Sequence, residues 1–185
     1  KSRKSKERAR DKDDKWDTLE HNGVIFPEEY EQLYIPLVYG KDKKEIILNK
    51  DAEEAAMFYA KALSTDHVKS AVFRKNFFND WKKLLPKGTE IKKLDECDFK
   101  NFVNLIEQQQ NDRKGYTKSK KSRIKEAKTR AEEKYTKAKV DGKIQNVGNF
   151  RIEPPGLFLG RGDHPKKGMI KKRIYPEDVI INIGE

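Results

Sequence analysis

The sequence holds very little of what would build a secreted, membrane-bound or metal-centred protein. Cys97 is its only cysteine in 185 residues. That excludes a disulfide framework or a cysteine zinc site within the chain and fits a reducing compartment. Hydrophobic residues make up only 35%, so the core must be small for the length, enough for one domain or two small ones. No apolar run approaches the roughly 20 residues that cross a bilayer. No signal-peptide core, metal-ligand spacing or phosphate-cradling glycine motif before a helix stands in the chain. Membrane proteins, disulfide-stapled domains, zinc enzymes and P-loop enzymes are therefore set aside. No cofactor and no metal is called for.

What is present is charge. Lysine and arginine number 42 against 31 acidic residues, for a net charge of +11 and 39% charged residues. Such a balance asks for a polyanionic partner, either nucleic acid or an acidic membrane surface. With no spanning run, signal-peptide core or amphipathic membrane helix, nucleic acid is the better of the two. Residues 1–15, KSRKSKERARDKDDK, carry a single apolar residue, Ala9, and are expected to form a disordered basic tail.

Order is expected from Trp16. Trp16, Leu19 and Val24-Ile25-Phe26 read as short strands around a His21-Asn22-Gly23 turn, closed by Pro27. Tyr30, Leu33 and Tyr34 read as apolar anchors. Val38-Tyr39, Gly40-Lys41-Asp42 and residues 45–48 read as a hairpin. Four helices follow. Asn49 caps the first, whose buried stripe is Ala52, Ala55, Ala56, Tyr59, Ala60 and Leu63. The second starts near Ser70, buries Phe73, Phe77, Trp81 and Leu84, and ends at Pro86-Lys87-Gly88. The third starts at Asp98 with Phe99, Phe102, Val103 and Ile106 inward. The fourth starts at Thr117 and runs to about Lys139, with a thin seam of Ile124, Ala127, Ala131, Tyr135 and Ala138. Residues 114–139 carry eleven lysines or arginines against three glutamates. Helices three and four are expected to pair antiparallel over 98–139 and project from the body. Asp141-Gly142 is read as the helix terminator.

The densest stretch is NFRIEPPGLFLGRGDHPKKGMIKKRIYPEDVIIN, residues 149–182. It holds four of seven prolines and four of eleven glycines. A strand over 150–152 meets Pro154-Pro155, which cannot donate to a ladder. Gly160-Arg161-Gly162 lets the backbone approach a ligand while the guanidinium points into it. Lys166, Lys167, Lys171, Lys172 and Arg173 follow, and a second strand is expected over 178–182. Basic side chains on a stiffened loop suit contact with a phosphate backbone and a groove. A solvated basic loop fits the same residues.

The words EPPGLF, GRG, HPK, GMIKKR and PED closely resemble a signature of the eukaryotic type IB DNA topoisomerases. His21-Asn22-Gly23-Val24-Ile25-Phe26-Pro27, Phe73-Arg74-Lys75-Asn76-Phe77-Phe78 and Cys97-Asp98-Phe99 resemble the same family in the same order, so the likeness runs from about Lys15 to Asn182. It implies an ATP-independent enzyme of the nucleus that relaxes supercoiled DNA through a 3′-phosphotyrosine. It also implies a monomer whose partners are duplex DNA and the catalytic, C-terminal remainder of the same protein. In that family a tyrosine attacks the phosphodiester, helped by two arginines, a lysine and a histidine, from regions expected to lie beyond this chain. No catalytic residue is therefore expected here, and the chain alone should be inactive. Tyr175 is the only tyrosine beside a basic cluster, and Pro176 after it marks a structural role. His164, before Pro165, is read as a turn residue.

The resemblance implies that Arg161 and Gly162 reach the minor groove near the cleaved step. Lys171, Lys172 and Arg173 would line the same duplex, with Lys166 and Lys167 beside them. Where the family usually has arginine this chain has Leu159. The expected fold is α+β. A helical subdomain, 28–97, and the projecting helix pair, 98–139, are inserted into a small β-containing DNA-contacting subdomain, 16–27 plus 140–185. Two readings without chemistry stay open: a basic nucleic-acid-binding module, and a helical protein-interaction module.

Overall fold

The computed structural model describes residues 16–162 and 164–180. The expected tail 1–15 lies outside the described residues. Among the described residues the architecture is mixed α and β, with four α-helices and two small three-stranded sheets. The chain divides into two compact units. One takes the residues up to Phe26, Ser122–Glu153 and the residues from Ile174. The other takes Pro27–Lys121 and Pro154–Arg173.

In the second unit, β2 (Pro36–Tyr39) and β3 (Lys44–Ile47) form the expected hairpin. Gly40 and Lys43 turn it in the left-handed region, at φ 74° and 50°. The other edge of β2 takes β4 (Cys97–Asp98), a pairing that sequence pattern does not announce. Helix α1 (Lys50–Ala62) starts where Asn49 accepts a bond from Ala52 N at 2.9 Å. Helix α2 (Ala71–Leu84) starts at Ser70, whose hydroxyl accepts from Phe73 N at 3.4 Å. Helix α3 (Lys100–Lys114) follows Asp98, which accepts from Lys100 N.

The core of this unit is an alanine face set against an aromatic face. Ala52, Ala55, Ala56 and Ala60 of α1 are buried, as are Phe73, Phe77 and Trp81 of α2. Small side chains on one helix leave room for rings from the next. Tyr59 stacks on Phe77 at 4.3 Å between centroids, and Trp81 lies 5.8 Å from Phe99. The buried indole is satisfied, donating to the Ala52 carbonyl at 2.9 Å. Leu63, expected inside, sits at the C-cap of α1, just past the last helical residue, and is exposed.

Glu53 is fully buried on α1. One carboxylate oxygen accepts from the Tyr30 hydroxyl (2.8 Å) and Leu33 N (2.6 Å), the other from Ile35 N (3.0 Å). Two backbone donors on alternate residues converge readily on one carboxylate when the residue between them is left-handed. Tyr34 is, at φ 56°. Leu33 and Tyr34 are therefore turned outward, 46% and 66% exposed, and not the apolar anchors expected. Tyr30 keeps that role and is partly buried.

In the first unit, β1 (Leu19–His21), β5 (Lys137–Val140) and β6 (Lys143–Asn146) form an antiparallel sheet in the order β1-β5-β6. Ile25 bridges Arg151 beside it. His21 to Gly23 is not a hairpin turn, since β1 pairs with β5. Helix α4 (Lys118–Glu132) stops well before Lys139. A 3₁₀ turn, Glu133–Tyr135, leads from it into β5. Asp141-Gly142, at φ 48° and 77°, is the hairpin turn between β5 and β6, not a helix stop. Asp141 also accepts from the amides of Asp17 and Thr18, at 2.7 and 2.9 Å. Near the chain's end Asp178 closes a 3₁₀ turn, Pro176–Asp178, in place of opening a strand. Residues 181–182 of that expected strand lie outside the described residues.

Candidate nucleic-acid interface

Residues 154–173 group with the helical unit, whereas sequence pattern places all of 140–185 with the strands around Trp16. The reason is packing: Leu157 is buried in the helical core. From Leu157 the loop runs out and back as an irregular hairpin. Leu157 bridges Ile170, Phe158 N donates to Met169 O at 2.9 Å, and Lys171 N donates to Gly156 O at 2.9 Å.

The tip of the loop is stiff. Gly160 has no room for a side chain, because a Cβ there would stand 2.8 Å from both His164 Cβ and the Phe158 ring. The Phe158 and His164 rings lie 4.8 Å apart. His164 Nδ1 accepts from Lys166 N at 3.2 Å and the His164 carbonyl from Lys167 N at 3.0 Å. That is turn chemistry, as read from His-Pro.

The loop is fastened to α2. Gly168 is left-handed at φ 84°, and a Cβ on it would lie 2.2 Å from the Phe73 carbonyl oxygen. The Asn76 amide donates to the carbonyls of Pro165 (2.7 Å) and Lys167 (2.8 Å). Asp80 Oδ2 accepts from Ile170 N at 3.1 Å. By sequence, α2 reads as core alone. Asn76 and Asp80 lie beside its aromatic stripe, where polar residues read as solvent-facing.

The basic residues divide accordingly. Arg161, Gly162 and Lys166 are exposed at the tip. Lys167 is half-buried, and its ammonium donates to the Gly162 carbonyl at 3.0 Å, tying the two turns together. Lys171 is half-buried and Lys172 exposed, on the returning arm. Arg173 turns inward: its guanidinium meets Glu54 Oε1 at 2.5 Å and the Glu28 carbonyl at 3.1 Å. Leu159 is exposed beside the tip. The surface that results is cationic, backbone-rich and rigid, which suits a phosphate backbone.

Burial raises the pKa of the cysteine and of two tyrosines. Burial pushes the Cys97 thiol up to about 12, so it holds no thiolate at neutral pH. Burial, then the bond to Glu53, holds the Tyr30 phenol above its ordinary range. Burial also raises Tyr59. Tyr175 is exposed, and its amide donates to the Asp178 carboxylate at 3.1 Å. Among the described residues no three of His, Cys, Asp and Glu gather as metal ligands. No helix among them is long and apolar enough to cross a membrane.

Residues 14–185 match the family model described as eukaryotic DNA topoisomerase I, DNA binding fragment. The chain belongs to this family. It is 46% identical over 179 residues to DNA topoisomerase 1 of Candidozyma auris, covering 94% of this chain and 24% of that protein. It is 46% identical to DNA topoisomerase 1 beta of Arabidopsis thaliana, covering 92% of this chain and 18% of that one. With the human DNA topoisomerase I, mitochondrial, identity is 42%, over 91% of this chain and 28% of that protein. The chain thus spans between 18% and 28% of the length of these relatives.

Proposed function

We propose that this chain is the DNA-gripping, non-catalytic half of a clamp around duplex DNA in a nuclear type IB topoisomerase. The whole enzyme would relax supercoils without ATP by transient single-strand cleavage and religation. A tyrosine would attack the phosphodiester and hold the 3′-phosphate, with cationic groups around the pentavalent phosphorus. That chemistry is assigned to the rest of the protein. The grip is assigned to Arg161, Gly162, Lys166, Lys167, Lys171 and Lys172. Arg173 is left out, its charge being turned to Glu54. The observation that carries the reading is the exposure of Arg161, Gly162 and Lys166 on a loop that Gly168 seats against Phe73, in a chain of this family. Basic α4, which buries no side chain, offers a weaker, sequence-blind contact.

Titration of the chain against short duplexes at several salt concentrations tests this. If roughly five to eight phosphates are neutralised, the log–log salt slope is about −4.5 to −7. Replacing Lys171 and Lys172 with alanine flattens it by about one for each phosphate no longer neutralised. Arg161→Ala weakens binding and relaxes any preference for A·T-rich sites, as loss of a minor-groove guanidinium should. Parent-like binding of all these variants at every salt would remove the loop from the DNA surface. The chain should leave supercoiled plasmid unrelaxed. Relaxation that survives Tyr175→Phe would overturn the assignment of the chemistry elsewhere.

A further inference from the structure

We infer that Asn76 is a positioning residue for DNA binding: through α2 it sets the register of the basic tip without touching DNA itself. The inference rests on the DNA-gripping reading above. Residues 73, 76 and 80 fall on one face of α2, and that face holds the loop in three independent ways. The Phe73 carbonyl admits only a glycine at 168. Asn76 spends both donors of its amide on the carbonyls of Pro165 and Lys167. Asp80 receives the amide of Ile170. Aspartate at 76 would have no donor for either carbonyl. Pro165 and Lys167 flank Lys166, so the amide brackets the residue whose side chain is exposed at the tip. Lys167 passes the constraint on, since its ammonium holds the Gly162 carbonyl next to Arg161. A preordered tip binds without first losing its own freedom, which otherwise costs affinity for each side chain immobilised.

Asn76 is neutral and its amide is turned to the loop's carbonyls, so its removal should differ from removal of a phosphate-binding charge. Asn76→Ala is expected to weaken duplex binding about tenfold, or about 1.4 kcal/mol, by the same factor at every salt, leaving the slope unchanged. Amide exchange at Lys167, Gly168 and Ile170 should quicken while α1 stays protected. Asp80→Ala should behave alike should Asn76→Ala fold poorly, and Asp80→Asn, which keeps the acceptor, should restore binding. Parent-like affinity of Asn76→Ala and Asp80→Ala, alongside weakened binding by Lys166→Ala, overturns the positioning role and leaves the DNA surface intact. A flattened slope in Asn76→Ala also overturns it, by making Asn76 a DNA-touching residue. Parent-like binding by Lys166→Ala and Arg161→Ala as well overturns both readings.

Discussion

Arg173 and Glu54 form an ion pair 2.5 Å long in which the side chains are only 14% and 17% exposed. A residue counted with the DNA-facing cations on sequence alone is thereby committed to the body of the protein. The pair joins the end of the basic loop to α1, and a second guanidinium nitrogen holds the Glu28 carbonyl. Removing one member of such a pair strands the other in a desolvated place. Arg173→Ala is expected to lower stability by about 2 kcal/mol in urea unfolding. The Glu54→Ala, Arg173→Ala double variant should lose less than the two singles summed. The salt slope of duplex binding should be that of the parent.

Two glycines of the loop should respond very differently to alanine. Gly162 is left-handed at φ 57° with open space around it, so Gly162→Ala costs only the backbone term, about 1 kcal/mol. Gly168 is left-handed too, but its side-chain position is filled by the Phe73 backbone. Gly168→Ala adds overpacking that no rotamer relieves, for about 3 kcal/mol or release of the loop. Thermal unfolding with amide exchange over residues 164–173 separates the two. Equal midpoints would mean that the loop is not seated on α2.

Tyr30 predicts an alkaline limb of stability. Burial, then the Glu53 bond, raises its pKa above the ordinary 10.0, so the folded state favours the protonated phenol. That contribution is complete below about pH 10 and is lost as pH rises toward the folded value. Tyr30→Phe should lower stability at neutral pH by about 1 kcal/mol. Above pH 10 the parent should fall toward the variant, the lysine titrations common to both cancelling. A constant gap across pH would refute it.

Helix α4 should be the least protected helix. None of its side chains is buried, and Ile124, its largest apolar residue, is 50% exposed. Its amides should exchange fastest among the four helices. Ile124→Ala should change stability by less than about 0.5 kcal/mol. A loss several times larger would show that Ile124 is covered in solution.

The helical core was legible because its signals are local. Asn49 and Ser70 are caps by their own chemistry, and Phe73, Phe77 and Trp81 repeat at helical spacing. The GRG and HPK words marked the loop for the same reason: glycine and proline dictate backbone shape where they stand. Asp141-Gly142 was legible too, but competed with a basic, alanine-containing run that continues the helical period. The hairpin won because Ala138 and Val140 alternate with lysines, and β1 supplies a partner edge for that alternation.

By itself, then, the sequence determined what depends on neighbours a few residues away: the helix starts, the aromatic stripe, the turn residues and the excess of positive charge. Tertiary structure alone decided where charges end up. Glu53 became a buried staple because Leu33 and Ile35 bring their amides to it from 20 and 18 residues away. Arg173, read from sequence as a DNA-facing cation, is paired within the protein because Glu54, 119 residues earlier, lies within reach of its guanidinium. A charged side chain reads the same in sequence whether it faces water, phosphate or a buried partner. Desolvation and pairing choose among these, and both are properties of the assembled chain.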